Sequence, residues 1–75
     1  MKEYQENPEM YQLVAKNIRK YRKEKNLSIE ELSLYTNIKR SILEKIEEDE
    51  NVVISIYELY KISVILEVGI NHFFE

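Results

Sequence analysis

The chain reads as all-α, a single small domain of five helices. Three observations predict this. Apolar residues recur at three- and four-residue spacing through its longer segments, Ser28-x-x-Glu31 and Ser55-x-x-Glu58 stand just ahead of two of those segments, and no stretch alternates apolar and polar residues as a strand would. At 75 residues and 44% apolar composition the chain is near the lower size at which a domain buries its own core, and it has no cysteine to staple it.

Asn7-Pro8-Glu9 predicts the first helix start: Asn7 can cap, Pro8 stands where its missing N–H costs nothing, and Glu9 meets the positive end of the helix dipole. Val14, Ile18 and Tyr21 then share one face, Arg19, Lys20 and Lys23 the others, and the helix should end near Lys25-Asn26. The Ser28/Glu31 capping box opens helix two, which should run to about Tyr35 and bury Leu32 and part of Tyr35. Asn37 is the best candidate for a left-handed turn residue before helix three.

Placing residues 40 to 48 at 100° intervals puts Ile42, Leu43, Ile46 and Glu47 on one arc, which is core with an acid inside it. Arg40, Ser41, Glu44, Lys45 and Glu48 fall on the other. Residues 49 to 54 form the one sizeable connection, after which Ser55 and Glu58 cap a helix carrying Leu59, Ile62 and Leu66. Gly69 stands where that helix should stop, and the closing "INHFFE" suits a last turn or two bearing Ile70, Phe73 and Phe74.

The net charge of -3 is unevenly spread. Residues 1–26 carry seven Lys/Arg against four Glu and residues 27–75 four against ten acids, so a basic first helix precedes an acidic remainder. Enzyme readings find no foothold, since there is no Ser/His/Asp set, glycine-rich phosphate loop or ligand cluster, and no cofactor is expected. His72 stands alone and is assigned nothing. "VVI" and "VIL" are too short to span a bilayer and the N-terminus lacks a signal peptide's basic start, so a cytoplasmic chain is expected. Of the six tyrosines, helical spacing assigns Tyr21 and Tyr35 to the core rather than to base stacking.

"VAKNIRKYRKEKNLSIEELSLYTNIKRSILEKIEEDE" followed by "SIYELYKISVILEVGINHFF" resembles the XRE family of bacterial and phage regulators, the lambda and Cro repressor-like domains, over roughly residues 14 to 74. The resemblance implies a five-helix lambda-repressor-like bundle in which helix two crosses the DNA backbone, helix three enters the major groove, and dimers read two half-sites. The expected division of the chain is an N-terminal extension, residues 1–8, and a helix-turn-helix DNA-binding domain, residues 9–75. The resemblance makes Lys39, Arg40, Ser41 and Lys45 groove-facing with Glu44 among them, adds Ser28 at the helix-two cap as a DNA contact, and pairs Arg22 with Glu47 as a structural ion pair.

This chain departs from the family's pattern in two places. Ile29 stands where the family often has a phosphate-donating Gln after the cap. Glu48, Asp49 and Glu50 stand where it commonly has "RGK".

The expected function is therefore a small, sequence-specific regulator, a repressor in the family's manner, binding double-stranded DNA. The alternative is the same fold turned to protein binding through its acidic surface, as an antirepressor, antitoxin-like or adaptor module. A homodimer is expected, with Val53, Ile70, Phe73 and Phe74 at its interface, because these apolar residues exceed the needs of one small core. No room remains for a small-molecule sensor domain, so regulation should come through oligomerisation, a protein partner or concentration.

Overall fold

The computed structural model describes residues 8–48 and 54–75. Among them are four α-helices and a closing 3₁₀ helix: α1 (Pro8–Glu24), α2 (Ile29–Thr36), α3 (Arg40–Glu47), α4 (Ile56–Leu66) and the 3₁₀ helix Ile70–Phe74. The class is all-α, as the periodicity predicts, and the fifth helix is a tight 3₁₀ turn. Asn7, the expected cap of α1, lies outside the described residues, as do Asp49 and Glu50.

Both capping boxes form. The Ser28 hydroxyl accepts from the Glu31 N–H at 3.0 Å while the Glu31 carboxylate accepts from the Ser28 N–H at 2.9 Å, and Ser55 and Glu58 do the same at 3.0 and 3.1 Å. Asn37 caps α2 in the left-handed region at φ 62°, its N–H donating to the Ser33 carbonyl at 2.8 Å. Asn26 turns the chain in the same way after α1, at φ 59°.

Gly69 is not the stop of α4. The helix ends on Glu67, left-handed at φ 61°, whereas Gly69 has an ordinary φ of -68° and caps the 3₁₀ helix. Apolar periodicity explains this. Leu66 is the last residue of α4 that reaches the core, and the reversal follows at once on Glu67, at the steric cost a non-glycine side chain pays in that conformation.

The core joins Val14 and Ile18 of α1, Leu32 of α2, Ile38, Leu43 and Ile46 around α3, Leu59, Ile62 and Leu66 of α4, and Phe73. α1 packs against α3, α4 and the 3₁₀ helix, while α2 lies against α3 on one side and α4 on the other. Phe73, at 0% exposure, meets the Tyr21 ring edge-on at 6.1 Å between centroids. Its carbonyl accepts a 2.8 Å hydrogen bond from the buried Asn17 amide, so helix one holds the end of the domain by a polar contact inside the core.

Two burial expectations need correcting. Tyr35 is 56% exposed, because Thr36 takes the core position one turn after Leu32, its hydroxyl donating to the Leu32 carbonyl at 2.7 Å. Phe73 lies wholly inside one copy of the chain and so cannot be a contact to a second.

Candidate nucleic-acid interface

α2, the turn at Asn37 and α3 form a helix-turn-helix. The eight residues of α3 divide by direction. Leu43, Ile46 and Glu47 are buried and Ile42 packs against the core, while Arg40, Ser41 and Lys45 are exposed with Lys39 just ahead of them and Glu44 half-buried at their edge.

The inward face is fixed by an ion pair. Arg22 donates through Nε to Glu47 Oε2 at 2.7 Å and through Nη2 to Oε1 at 2.9 Å, a two-pronged contact between α1 and α3. Its remaining nitrogen, Nη1, donates to the Leu27 carbonyl at 2.7 Å. Those hydrogen bonds to Glu47 raise the Arg22 pKa above its ordinary value against the opposing cost of desolvation. Arg19 adds a hydrogen bond from Nη2 to the Glu47 backbone carbonyl, so the last turn of α3 is gripped at both its side chain and its main chain. The buried acid of the wheel is thereby satisfied, and the first letter of the acidic run "EEDE" belongs to the core. Glu48 is the first of its acids to face solvent among the described residues.

The outward face has its own electrostatics. Arg40 Nε donates to Glu44 Oε2 at 2.9 Å, and Arg40 Nη1 donates to Glu30 Oε2 of α2 at 2.6 Å. The bond to Glu44 and the attraction of Glu30 raise the Arg40 pKa. Spacing along α3 shows the Glu44 partner at i+4, but Glu30 is ten residues away and becomes a neighbour only when α2 folds beside α3. Lys39, Ser41 and Lys45 make no such bridge among the described residues.

Ser28 is exposed at the start of α2 but its hydroxyl already accepts from Glu31, so it serves first as a cap. Ile29 next to it packs partly into the core, which accounts for an apolar residue at that place. Of the expected interface residues, Val53 lies outside the described residues, Ile70 packs partly against the core, and Phe74 is 41% exposed. No helix among the described residues is long and apolar enough to cross a membrane, and none of their His, Asp or Glu side chains group in a way that could hold a metal ion.

Compared with known families, residues 15–74 match the family model described as helix-turn-helix domain. No curated protein and no solved structure matches the chain.

Proposed function

The chain belongs to the helix-turn-helix domain family, and from that premise we propose that it is a small XRE-type regulator that binds double-stranded DNA sequence-specifically as a homodimer, α3 lying in the major groove. The observation that carries this reading is the division of α3. One side is locked to α1 through Glu47, which leaves Lys39, Arg40, Ser41, Glu44 and Lys45 together on a free, pre-aimed face.

On that face Arg40 is the reader. Its guanidinium can donate two hydrogen bonds to O6 and N7 of a guanine, while Glu44 beside it can accept from the N4 amino group of a cytosine. In the free protein Arg40 is held by Glu30 and Glu44. Exposed ion pairs of this kind are weak in water and screened by salt, so a guanine edge can displace a carboxylate. Lys39 and Lys45 supply phosphate contacts that position the helix without reading sequence. Glu48 repels phosphates close by, lowering affinity for arbitrary duplex and leaving base contacts to decide where the protein stays.

The Arg40 clamp also favours a second reading. Arg40 is neutralised by Glu30 and Glu44, and Glu31 of α2 and Glu48 after α3 are exposed besides, which suits a basic protein partner and an adaptor or antirepressor role. Selection from random duplexes, followed by gel shifts at low and moderate salt, tests both. The DNA reading expects an enriched site whose binding weakens but survives at moderate salt. Failure to retain any duplex at low salt, with a basic protein recovered in its place and lost on Glu48→Lys, would transfer the function to the second reading.

A further inference from the structure

α4 has a second face that the core does not use. Leu59, Ile62, Ser63 and Leu66 turn inward, and on the far side Ile56, Tyr57, Tyr60 and Val64 make a continuous apolar stripe, between 51% and 70% exposed. Across the seam with α2, Tyr35 joins Tyr60, Lys61, Val64 and Ile65 in lining an open groove of about 210 Å³. Leu34, the neighbour of Tyr35, is 76% exposed. The one charge lining the groove, Lys61, rests its ammonium 4.9 Å from the centre of the Tyr57 ring.

This surface stands apart from the outward face of α3. α2 separates them, its first turn reaching Arg40 through Glu30 and its last turn reaching α4 through Tyr35.

We propose that the α4 stripe is a two-fold interface on which a second copy of the chain docks, α4 antiparallel to α4, with Tyr60 at its centre. The area fits. Taking on the order of 200 Å² for a whole tyrosine and somewhat less for the aliphatic residues, Tyr35, Ile56, Tyr57, Tyr60 and Val64 leave roughly 550 Å² in water, the size of the small, weakly held contacts that bury less than ~1,200 Å² over both partners. The shape fits as well. The stripe is bulky at its start, where Ile56 and Tyr57 stand, and recessed towards its end, where Val64 borders the groove. Reversed on itself it sets the Tyr57 end of one copy against the groove of the other, which is the self-complementarity a two-fold contact requires. Lys61 is the only ionised group in the groove lining, and its ammonium lies over the Tyr57 ring towards the start of α4, so the antiparallel arrangement carries the two like charges away from the axis to opposite ends of the contact.

The proposal moves the dimer contact from the C-terminal turn, where Phe73 is consumed by the core, to α4. It does not depend on DNA binding. Sedimentation equilibrium of the chain without duplex, over a micromolar concentration series, tests it. The wild type is expected to pass from monomer to dimer. Tyr60→Glu and Val64→Glu are each expected to raise the dissociation constant at least about thirtyfold, the effect of removing a central anchor. Phe74→Asp should leave it unchanged.

Circular dichroism melts check that each variant folds, and Tyr60→Ser and Val64→Ser replace the acidic variants if either fails to. A wild type that stays monomeric throughout the series overturns the proposal, whatever other partner it binds. So does a dimer that survives both α4 variants, or one that dissociates on Phe74→Asp alone.

Discussion

Replacing Glu47 with alanine removes the carboxylate that joins α3 to α1 and leaves the Arg22 guanidinium behind. The Arg22 and Glu47 side chains are 12% and 6% exposed, so the orphaned cation cannot simply be rehydrated. Breaking a buried pair by removing one partner costs ~3 to 5 kcal/mol. The lower end applies here, about 3 kcal/mol, because Arg22 keeps its bond to the Leu27 carbonyl and its stem can shift towards water. A domain of this size has a total stability of roughly 4 to 11 kcal/mol, so the loss is a large share of it. The melting temperature should fall by roughly 12 to 24 °C.

Thermal and urea unfolding followed by circular dichroism measure both quantities. Replacing both partners at once, Arg22→Met with Glu47→Leu, should recover most of the loss, because no charge is then left alone in the core. The pKa of Arg22 is raised on folding, so the stability linked to it is fully present below the unfolded-state value and is lost only as pH rises through the folded-state one, far into the alkaline range. The deficit of Glu47→Ala should therefore be the same in mildly acidic and mildly alkaline buffer as far as Arg22 governs it. A melting decrease of only about one or two degrees would refute the argument, since it would mean the pair carries no more than an exposed one.

Three further outcomes follow from named contacts. Arg40→Ala should lower discrimination at one base position by roughly tenfold to a hundredfold, read by competition among single-base variants of the selected site, with little change in melting temperature. Glu48→Lys should strengthen binding to random duplex more than to the selected site and steepen the salt dependence by roughly one to two units of slope, measured in salt titrations. Asn17→Ala should cost ~1 to 3 kcal/mol by leaving the Phe73 carbonyl without its donor. Its amide exchange should quicken first across residues 70–75, where the closing turn loses its tie to α1.

What could be read in the sequence was what depends on neighbours along the chain. The two Ser/Glu capping boxes, the left-handed Asn37 and the inward arc of α3 are decided within one or two turns, and local chemistry is enough to place them. The Arg22–Glu47 pair needed both a wheel that put an acid in the core and a resemblance that named its partner. Glu30 beside Arg40 had no such signal, because the two residues share no helix. The same holds for Asn17, whose amide is committed to a carbonyl at the other end of the chain.

Tyr35 misled for a subtler reason. It stands three residues after Leu32, a spacing that fits one helix face, yet Ile29, Leu32, Ser33 and Thr36 define the buried side of α2, and that side excludes it. Phe73 and Phe74 look equivalent in sequence. Only the 3₁₀ geometry of the last turn sends one ring into the core and leaves the other partly in water.

The two-sidedness of α3 has a consequence for how such a protein can change over generations. Folding depends on Ile42, Leu43, Ile46 and Glu47, and solvent-facing substitutions away from special contacts usually alter stability very little. Lys39, Arg40, Ser41, Glu44 and Lys45 can therefore be exchanged with little penalty to the fold, so descendants can drift towards new binding sites without passing through unfolded ancestors. A library randomised at those five positions, with proline and glycine left out, should stay folded almost throughout.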